Sequence, residues 1–238
     1  MKSAARPTMW LDELPEDAVD LLAHELRTPV QTIAGWALLL QRGALDAQQA
    51  VRAIETIVRT AALQAHLIED LLDRSRIRRG KMFLSMEPVD MASLVARVCR
   101  ELFPVAHARG IEVDVRTVEA PCCVLGDSVR LEQVIRNLLT NAMKFSPNAS
   151  RVDVVVTNAS GKVRTCVSDS GIGIRGEVLP HVFDRFRCGN RDHAQRGLGL
   201  GLTIARHIVE LHGGSISADS RGEGRGANFS VVLPARDG

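Results

Sequence analysis

The feature that most constrains the fold is an unbroken apolar repeat between positions 51 and 72. Its members follow one another at steps of three or four: Val51, Ile54, Val58, Ala61, Ala65, Ile68 and Leu72. This is the heptad pattern of a helix that packs along one narrow seam. Asp46 is a suitable N-cap for that helix. A seam of this kind needs a second helical surface to cover it.

A second apolar stripe predicts a preceding helix, from about residue 15 or 16 to about Arg42. Its members also step by three and four: Leu22, Leu26, Val30, Ile33, Ala37 and Leu40. Pro15 suits a first helical turn and Gly43 a C-terminal cap, so the two helices form an antiparallel hairpin. Two narrow seams cannot build a core alone. We therefore expect two copies to pair as a four-helix bundle, which makes the protein a homodimer.

The first helix carries a histidine within the stretch HELRTP at positions 24–29. His24 lies two residues from Leu22, about 200° around the helix axis, so it faces solvent rather than the seam. Thr28 lies one turn later on the same face, and Pro29 cannot donate to the Glu25 carbonyl, which predicts a bend. A lone histidine on such a helix is usually only solvated. The proline and a nucleotide-site pattern further along the chain favour a nucleophile.

Composition excludes several classes of protein. The net charge of the 238 residues is +2 and aromatic residues make up 3%, with no Tyr, so a nucleic-acid partner is not indicated. Five scattered cysteines show neither zinc spacing nor a disulfide framework, which fits a reducing compartment. No apolar run approaches the roughly 18 residues of a membrane span. We expect a soluble cytoplasmic segment that does not insert into a membrane, and a longer membrane-bound or multidomain sensor stays open.

The pattern changes at residues 74–88, where we place a domain boundary. Basic residues cluster at the end of the second helix: Arg74, Arg76, Arg78, Arg79 and Lys81. Lys81–Met86 alternates and predicts a strand. We expect a linker or the remnant of an upstream helix at 1–14, a helical domain at 15–80 and a second domain at 81–238. Alternating strand and helix patterns in the latter predict an α/β sandwich, a mixed sheet with helices on one face.

Three stretches of the second domain together predict a nucleotide site. The first is NLLTNAMK, where Asn137, Asn141 and Lys144 fall at i, i+4 and i+7 on one helix face. Their amide oxygens can bind Mg²⁺ and the ammonium can bind phosphate, although such a pattern alone is usually a solvated face. The second is DSGIGI at 169–174. The Asp169 carboxylate can accept a hydrogen bond from an amine such as that of adenine, although a tight turn has the same pattern.

The third stretch is GLGLGL at 197–202, which opens a helix. Its glycines expose N–H groups beside the positive end of a helix dipole, which suits a phosphate. It differs from a dinucleotide fingerprint because no βαβ unit precedes it. The order and spacing of all three stretches carry the prediction.

These motifs, together with HELRTP and FDRF at 183–186, resemble the sensor histidine kinases of two-component systems. The resemblance runs from about Glu16 to Leu233 and implies a dimerization/phosphoacceptor domain followed by a GHKL-type ATP-binding domain. It implies that His24 is phosphorylated and that Glu25 is its acid/base partner. Thr28 would orient water when the kinase dephosphorylates its response regulator.

The resemblance also implies the nucleotide contacts. Asn137, Asn141 and Lys144 match Mg²⁺ and phosphate contacts, with both asparagines as metal ligands, and Asp169 matches the adenine contact. The implied nucleotide-binding loops contain Gly171, Gly173, Gly197, Leu198, Gly199, Leu200 and Gly201. A mobile lid would extend from about Ile174 to Arg196, with Arg187 and Arg191 as candidates for phosphate contact.

The expected function is ATP-dependent autophosphorylation of His24 with Mg²⁺, followed by transfer to an aspartate of a response regulator. His24 and ATP lie on different domains, so we expect a hinge near residues 74–88. One alternative is a gyrase-, chaperone- or mismatch-repair-type ATPase. Those proteins carry a Glu that activates water where this chain has Asn137, and they lack an HELRTP helix. Another alternative is a catalytically silent dimeric scaffold or a phosphatase of the same family.

Overall fold

The computed structural model describes residues 16–184 and 200–236. The chain divides into two compact units, one that ends at Lys81 and one that begins at Met82. Among the described helices, none is both long and apolar enough to cross a bilayer.

The first unit is a helical hairpin. Helix α1 spans Glu16–Gln41 and helix α2 spans Ala47–Arg78. The N-cap of α2 is Asp46, as predicted: its Oδ1 accepts the Gln49 N–H at 2.7 Å, and the Gln49 side chain accepts the Asp46 N–H at 3.1 Å. This capping box satisfies two N–H groups reciprocally at the start of the helix. Gly43 takes a left-handed φ of +62° in the connection.

Two faces of α2 differ in exposure. Ala53 and Thr60 are buried within the hairpin. On the predicted seam, Val51, Ile54 and Val58 are 56%, 54% and 63% exposed. At about 100° per residue, the buried positions lie roughly 110° from the seam. The hairpin therefore covers one side of α2 and leaves the apolar seam open.

The second unit is an α/β sandwich. Its helices are α3 (Met91–Ala108), α4 (Ser128–Phe145) and α5 (Gly201–Leu211). The main sheet contains β2 (Glu112–Val118), β4 (Arg151–Ala159), β5 (Lys162–Asp169), β7 (Ala227–Pro234) and β6 (Ser215–Asp219), in that spatial order. Strands β2 and β4 are parallel, and the other pairs are antiparallel. Strands β1 (Glu87–Asp90) and β3 (Cys123–Gly126) form a separate antiparallel pair.

One face of the main sheet forms the core. Val152, Val154 and Val156 of β4 are fully buried, whereas the residues between them are only half-buried. In register with Val154 lies Val167 of β5, which in turn pairs with Phe229 of β7. The buried sides of α3, α4 and α5 contribute further apolar residues. The expected mixed sheet with helices on one face is confirmed.

The strand predicted at Lys81–Met86 is wrong. No strand pairs with these residues, and β1 begins one residue later, at Glu87. The alternation does report one-sided burial, because Met82 is buried and Phe83 is 85% exposed. The Ser85 N–H, however, donates to the Asp127 side chain instead of a neighbouring strand. A period of two shows that a segment is extended but not that it has a strand partner.

Candidate functional site

Asp169, the last residue of β5, is held in place by backbone groups. Its Oδ1 accepts the N–H of Gly171 at 2.9 Å and the N–H of Ala227 at 3.2 Å. Its Oδ2 makes no hydrogen bond with the residues that the structure describes. Burial raises the pKa of this carboxyl above its ordinary value, and the two backbone donors oppose that rise. One acceptor oxygen of Asp169 is therefore fixed and the other is uncommitted.

The glycines beside this carboxylate are required by close backbone contacts. A Cβ on Gly171 would overlap the carbonyl oxygen of Phe145, at the end of α4. A Cβ on Gly226 would overlap the Asp169 carbonyl oxygen. Gly173 has a φ of +69°, which favours glycine. These contacts bring the ends of β5 and α4 and the start of β7 together.

Sequence reasoning missed the loop at residues 220–226, which supports the same site. The Ser220 hydroxyl donates to the Gly226 carbonyl at 2.6 Å and accepts the Ile174 N–H at 3.0 Å. Three alternate glycines of this loop have a positive φ: Gly222, Gly224 and Gly226. Alternate glycines separated by charged residues were the available signal. That signal indicates an irregular loop but does not tell which strand end the loop supports.

The predicted polar face of α4 lies where α5 begins. Asn137 Nδ2 donates to the Gly201 carbonyl at 3.0 Å, so the first and third motif stretches meet. Asn141 and Lys144 follow on the same face, and both are half-buried. The Lys144 ammonium lies 5.3 Å from the centre of the Phe145 ring, within the range of a cation–π contact. Amide and ammonium groups are thus concentrated along one side of α4.

Only the end of the Gly-rich stretch lies in the described residues. Leu200 is 3% exposed and precedes Gly201, the first residue of α5. A Cβ on Gly201 would lie 3.3 Å from Cγ of Asn137, so the contact between α5 and α4 is tight. The remaining predicted contacts lie outside the described residues: Gly197, Leu198, Gly199, Arg187 and Arg191.

His24 lies in the first unit, exposed on α1. The Thr28 hydroxyl, one turn later, donates to the His24 carbonyl at 3.0 Å. Glu25 is the next residue along the helix, and α1 continues through Pro29 to Gln41. The bend expected at the proline stays a prediction. A solvent-facing imidazole is chemically accessible as a nucleophile.

Comparison with known proteins decides the family. Residues 16–80 match the family model of the His Kinase A (phospho-acceptor) domain. Residues 126–237 match that of the histidine kinase-, DNA gyrase B- and HSP90-like ATPase. The sensor protein DivL of Caulobacter vibrioides is 34% identical over 223 residues, which are 94% of this chain and 28% of DivL. The chain belongs to the sensor histidine kinases.

Solved histidine kinases share the fold of this kinase. Full-length ShkA in complex with AMPPNP is 30% identical, with a TM-score of 0.67, over 92% of this chain and 46% of ShkA. ThkA in complex with the response regulator protein TrrA shows the same fold at 23% identity, with a TM-score of 0.63, over 93% of this chain and 62% of ThkA. This chain spans 17% to 53% of the length of the first curated relatives that it matches.

The kinase carries its two sets of predicted site residues in different units. The ATP-binding unit brings Asp169, Gly171 and Gly201 into contact with the ends or side chains of α4, including Asn137. The histidine that the family model places in a phospho-acceptor domain lies in the helical unit. The residues predicted to bind nucleotide and the histidine predicted to accept a phosphoryl group therefore lie in separate units.

Proposed function

We propose that this chain is an ATP-dependent autokinase that phosphorylates His24 and passes the phosphoryl group to an aspartate of a response regulator. Residues 15–80 would be the dimerization and phosphoacceptor domain, 81–238 the ATP-binding catalytic domain, and 1–14 a linker. The observation that carries the proposal is the arrangement at Asp169. One oxygen is fixed by two N–H groups, and the other is uncommitted beside glycines that admit no side chain.

At the adenine end, the uncommitted Oδ2 of Asp169 would accept a hydrogen bond from the exocyclic amine of ATP. A buried carboxylate that is already oriented by Gly171 and Ala227 loses little freedom when it binds. No side chain can stand at position 171, because a Cβ there would overlap the Phe145 carbonyl oxygen, so a planar base could approach the backbone closely at this point. This geometry suits adenine better than a phosphate, because a carboxylate repels anions.

At the phosphate end, the donors of α4 fit a magnesium–triphosphate. Asn137 uses its Nδ2 on the Gly201 carbonyl, so its Oδ1, like that of Asn141, is the atom suited to a cation. Lys144 adds a positive charge on the same face. Mg²⁺, when bound, would offset negative charge on the phosphates during transfer. An asparagine cannot act as the general base of an ATPase, so Asn137 favours transfer to a side chain over hydrolysis.

At the acceptor, a neutral imidazole nitrogen of His24 would attack the γ-phosphorus in line. A nitrogen–phosphorus bond forms, the bond between the γ-phosphorus and the bridging oxygen breaks, and ADP leaves. Glu25 would hydrogen-bond the other ring nitrogen, which orients the ring and stabilises the positive charge that develops on it. His24 is exposed, so it can receive the phosphoryl group from another unit.

We also infer that the protein is a homodimer and acts on a response regulator. The seam of α2 leaves Val51, Ile54 and Val58 more than half exposed, and a second hairpin would cover them. The solved relative ThkA is in complex with a response regulator protein. Thr28, one turn beyond His24, would orient the water that dephosphorylates such a partner.

The proposal is tested with γ-labelled ATP and Mg²⁺. Label should appear on the protein, survive base and be lost in acid, as expected for a phosphohistidine. It should be absent from His24→Gln and present in His66→Gln, a control histidine in the same unit. ATP binding without label in the wild type would contradict the autokinase and favour a scaffold or a phosphatase.

A further inference from the structure

The first residues of the catalytic unit are fastened to it before its first strand begins. Met82 is the first residue of this unit, and its side chain is buried, with 8% exposed. The Ser85 N–H donates to Asp127 Oδ2 at 2.9 Å. Strand β1 starts only at Glu87. The segment at residues 82–86 therefore has two anchors although it is not part of the sheet.

Asp127 is also the point where this segment meets the helix that carries the phosphate-contact candidates. Its Oδ1 caps α4 by accepting the Arg130 N–H at 3.1 Å. Its own N–H donates to Nε2 of buried His212 at 2.9 Å, and His212 Nδ1 lies 2.7 Å from the Ile208 carbonyl of α5. Asp127 thus joins the segment 82–86 to the start of α4 and the end of α5.

Within the described part of the chain, residues 79–81 have no comparable anchor in the catalytic unit. Helix α2 ends at Arg78, and the Gly80 and Lys81 N–H groups donate to carbonyls in the last turn of α2, at 3.0 and 2.9 Å. Gly80 has a φ of +60°, and a Cβ built on it would meet nothing within 4 Å. Between the end of α2 and the anchored Met82, the chain has only residues 79–81. The hinge that the sequence predicts near residues 74–88 would therefore lie at residues 79–81.

We propose that Asp127 is a positioning residue for phosphoryl transfer, because together with buried Met82 it keeps the tether between the two units short. The inference rests on the proposed function, in which ATP in one unit must reach His24 in the other. Release of the anchors would lengthen the free chain from residues 79–81 to residues 79–86, from three residues to eight. Its maximum reach would grow from about 10 Å to about 28 Å.

Once a tether is long enough to span its two sites, the effective concentration of one tethered group at the other falls roughly as the −3/2 power of tether length. Lengthening the tether from three residues to eight therefore reduces it to about a quarter. The affinity for ATP should not change, because the nucleotide contacts lie within one unit. The signature of the positioning role is thus a lower rate of His24 phosphorylation at saturating ATP with an unchanged Kd.

The test uses the whole chain with two substitutions, alone and combined. Asp127→Asn keeps an oxygen for the N-cap, where Asn serves as well as Asp. Its NH₂ group would face the Ser85 N–H, and because both groups are donors this hydrogen bond is lost. Met82→Ser removes the apolar anchor. The matched control is Asp90→Asn. Asp90 caps α3 through Ala92 and Ser93 and accepts no hydrogen bond from the segment 82–86.

Two measurements separate the anchor from its effect on the reaction. Trypsin cleavage after Lys81 reports release of the segment, because a protease needs an opened chain around the cut. We expect faster cleavage in Asp127→Asn and in Met82→Ser, and the fastest cleavage in the combined variant. Asp90→Asn should be cleaved at the rate of the wild type. We expect about four-fold slower labelling of His24 at saturating ATP for the combined variant, in which both anchors are lost. The reduction in Asp127→Asn should be smaller, because Met82 can still hold the start of the segment.

Each outcome has one meaning. Cleavage as slow as in the wild type would overturn the anchor. Faster cleavage with an undiminished labelling rate would overturn the positioning role, and so would a parallel rise in the Kd for ATP. If the wild type carries no label at all, the proposed function fails, and the cleavage rates alone decide whether Asp127 anchors the segment.

Discussion

At the scale of the residue, Asp169 is the most informative position. In Asp169→Asn the amide oxygen can still accept the Gly171 and Ala227 N–H groups, but an NH₂ group then faces the adenine amine. Loss of a charge-assisted hydrogen bond costs about 1.5–3 kcal/mol, so we expect the Kd for ATP to rise about 10- to 100-fold. Titration with a fluorescent ATP analogue measures it. Asp153→Asn, on the solvent side of the sheet, is the control and should bind normally.

The stability of the same variant separates binding from folding. Burial raises the pKa of Asp169, which means that its charged form is less favourable in the fold than in water. Removal of that charge should therefore leave Tm at neutral pH unchanged or higher. A Tm well below that of the wild type would show that the lost affinity reflects damage to the fold.

The pH dependence of binding follows from the direction of this shift. Protonation of Asp169 removes the acceptor that adenine needs, and the raised pKa brings that loss to a higher pH than for an exposed aspartate. We expect the ratio of wild-type to Asp169→Asn affinity to shrink as the pH falls from neutral towards the ordinary pKa range of an aspartate. Titration of Asp169 does not destabilise the fold at lower pH, because a carboxyl group with a raised pKa adds to the free energy of unfolding as the pH falls through that pKa. The lost affinity is therefore not explained by unfolding through this group. A constant ratio over this range would contradict the assignment.

The sequence could predict Asp169 and its glycines because a short motif holds them together. It could not predict Ser220 or Gly226, which meet that motif from more than 45 residues away through backbone contacts. The hydrogen bond between Ser85 and Asp127 could not be predicted either. An N-cap aspartate is recognisable from its neighbours in the sequence, but its hydrogen bond to Ser85 depends on the tertiary fold.

At the scale of the element, the open seam of α2 makes a direct prediction. Val58 is 63% exposed, and in a homodimer Val58→Glu would bury one carboxylate from each chain. An unpaired buried charge costs several kcal/mol, so we expect the dimer to dissociate into monomers at micromolar concentration. Sedimentation equilibrium measures the oligomeric state of the variant. Arg52→Glu, about 160° around the helix from the seam, should remain dimeric.

Periodicity located the elements well where packing follows the local pattern. The helices of the hairpin lie within a few residues of their predicted positions, and the second unit contains the strands and helices that its alternating patterns predict. The prediction of a strand at Lys81–Met86 was wrong because the Ser85 N–H donates to the Asp127 side chain and not to a neighbouring strand. Alternation does not reveal the hydrogen-bond partner of a segment. Caps and periods are local, whereas strand pairing is not.

At the scale of the whole molecule, two units would carry different halves of the proposed reaction. Asp169 and Asn137 belong to the unit that begins at Met82, and His24 belongs to the unit that ends at Lys81. The sequence indicates this division through a change of period, from heptads to alternation. It does not indicate how the halves meet, because a hinge depends on where anchoring contacts stop.

Autophosphorylation of His24 is tested most directly by identifying the residue that carries the phosphoryl group. The full chain is incubated with Mg²⁺ and ATP, digested at neutral pH and mapped by mass spectrometry. We predict a phosphoryl group on His24 in the wild type, and a much smaller phosphorylated fraction of His24 in Asp169→Asn at an ATP concentration above the wild-type Kd and well below that of the variant. Phosphate on another residue, or ATP hydrolysis that leaves His24 unmodified, would contradict the account.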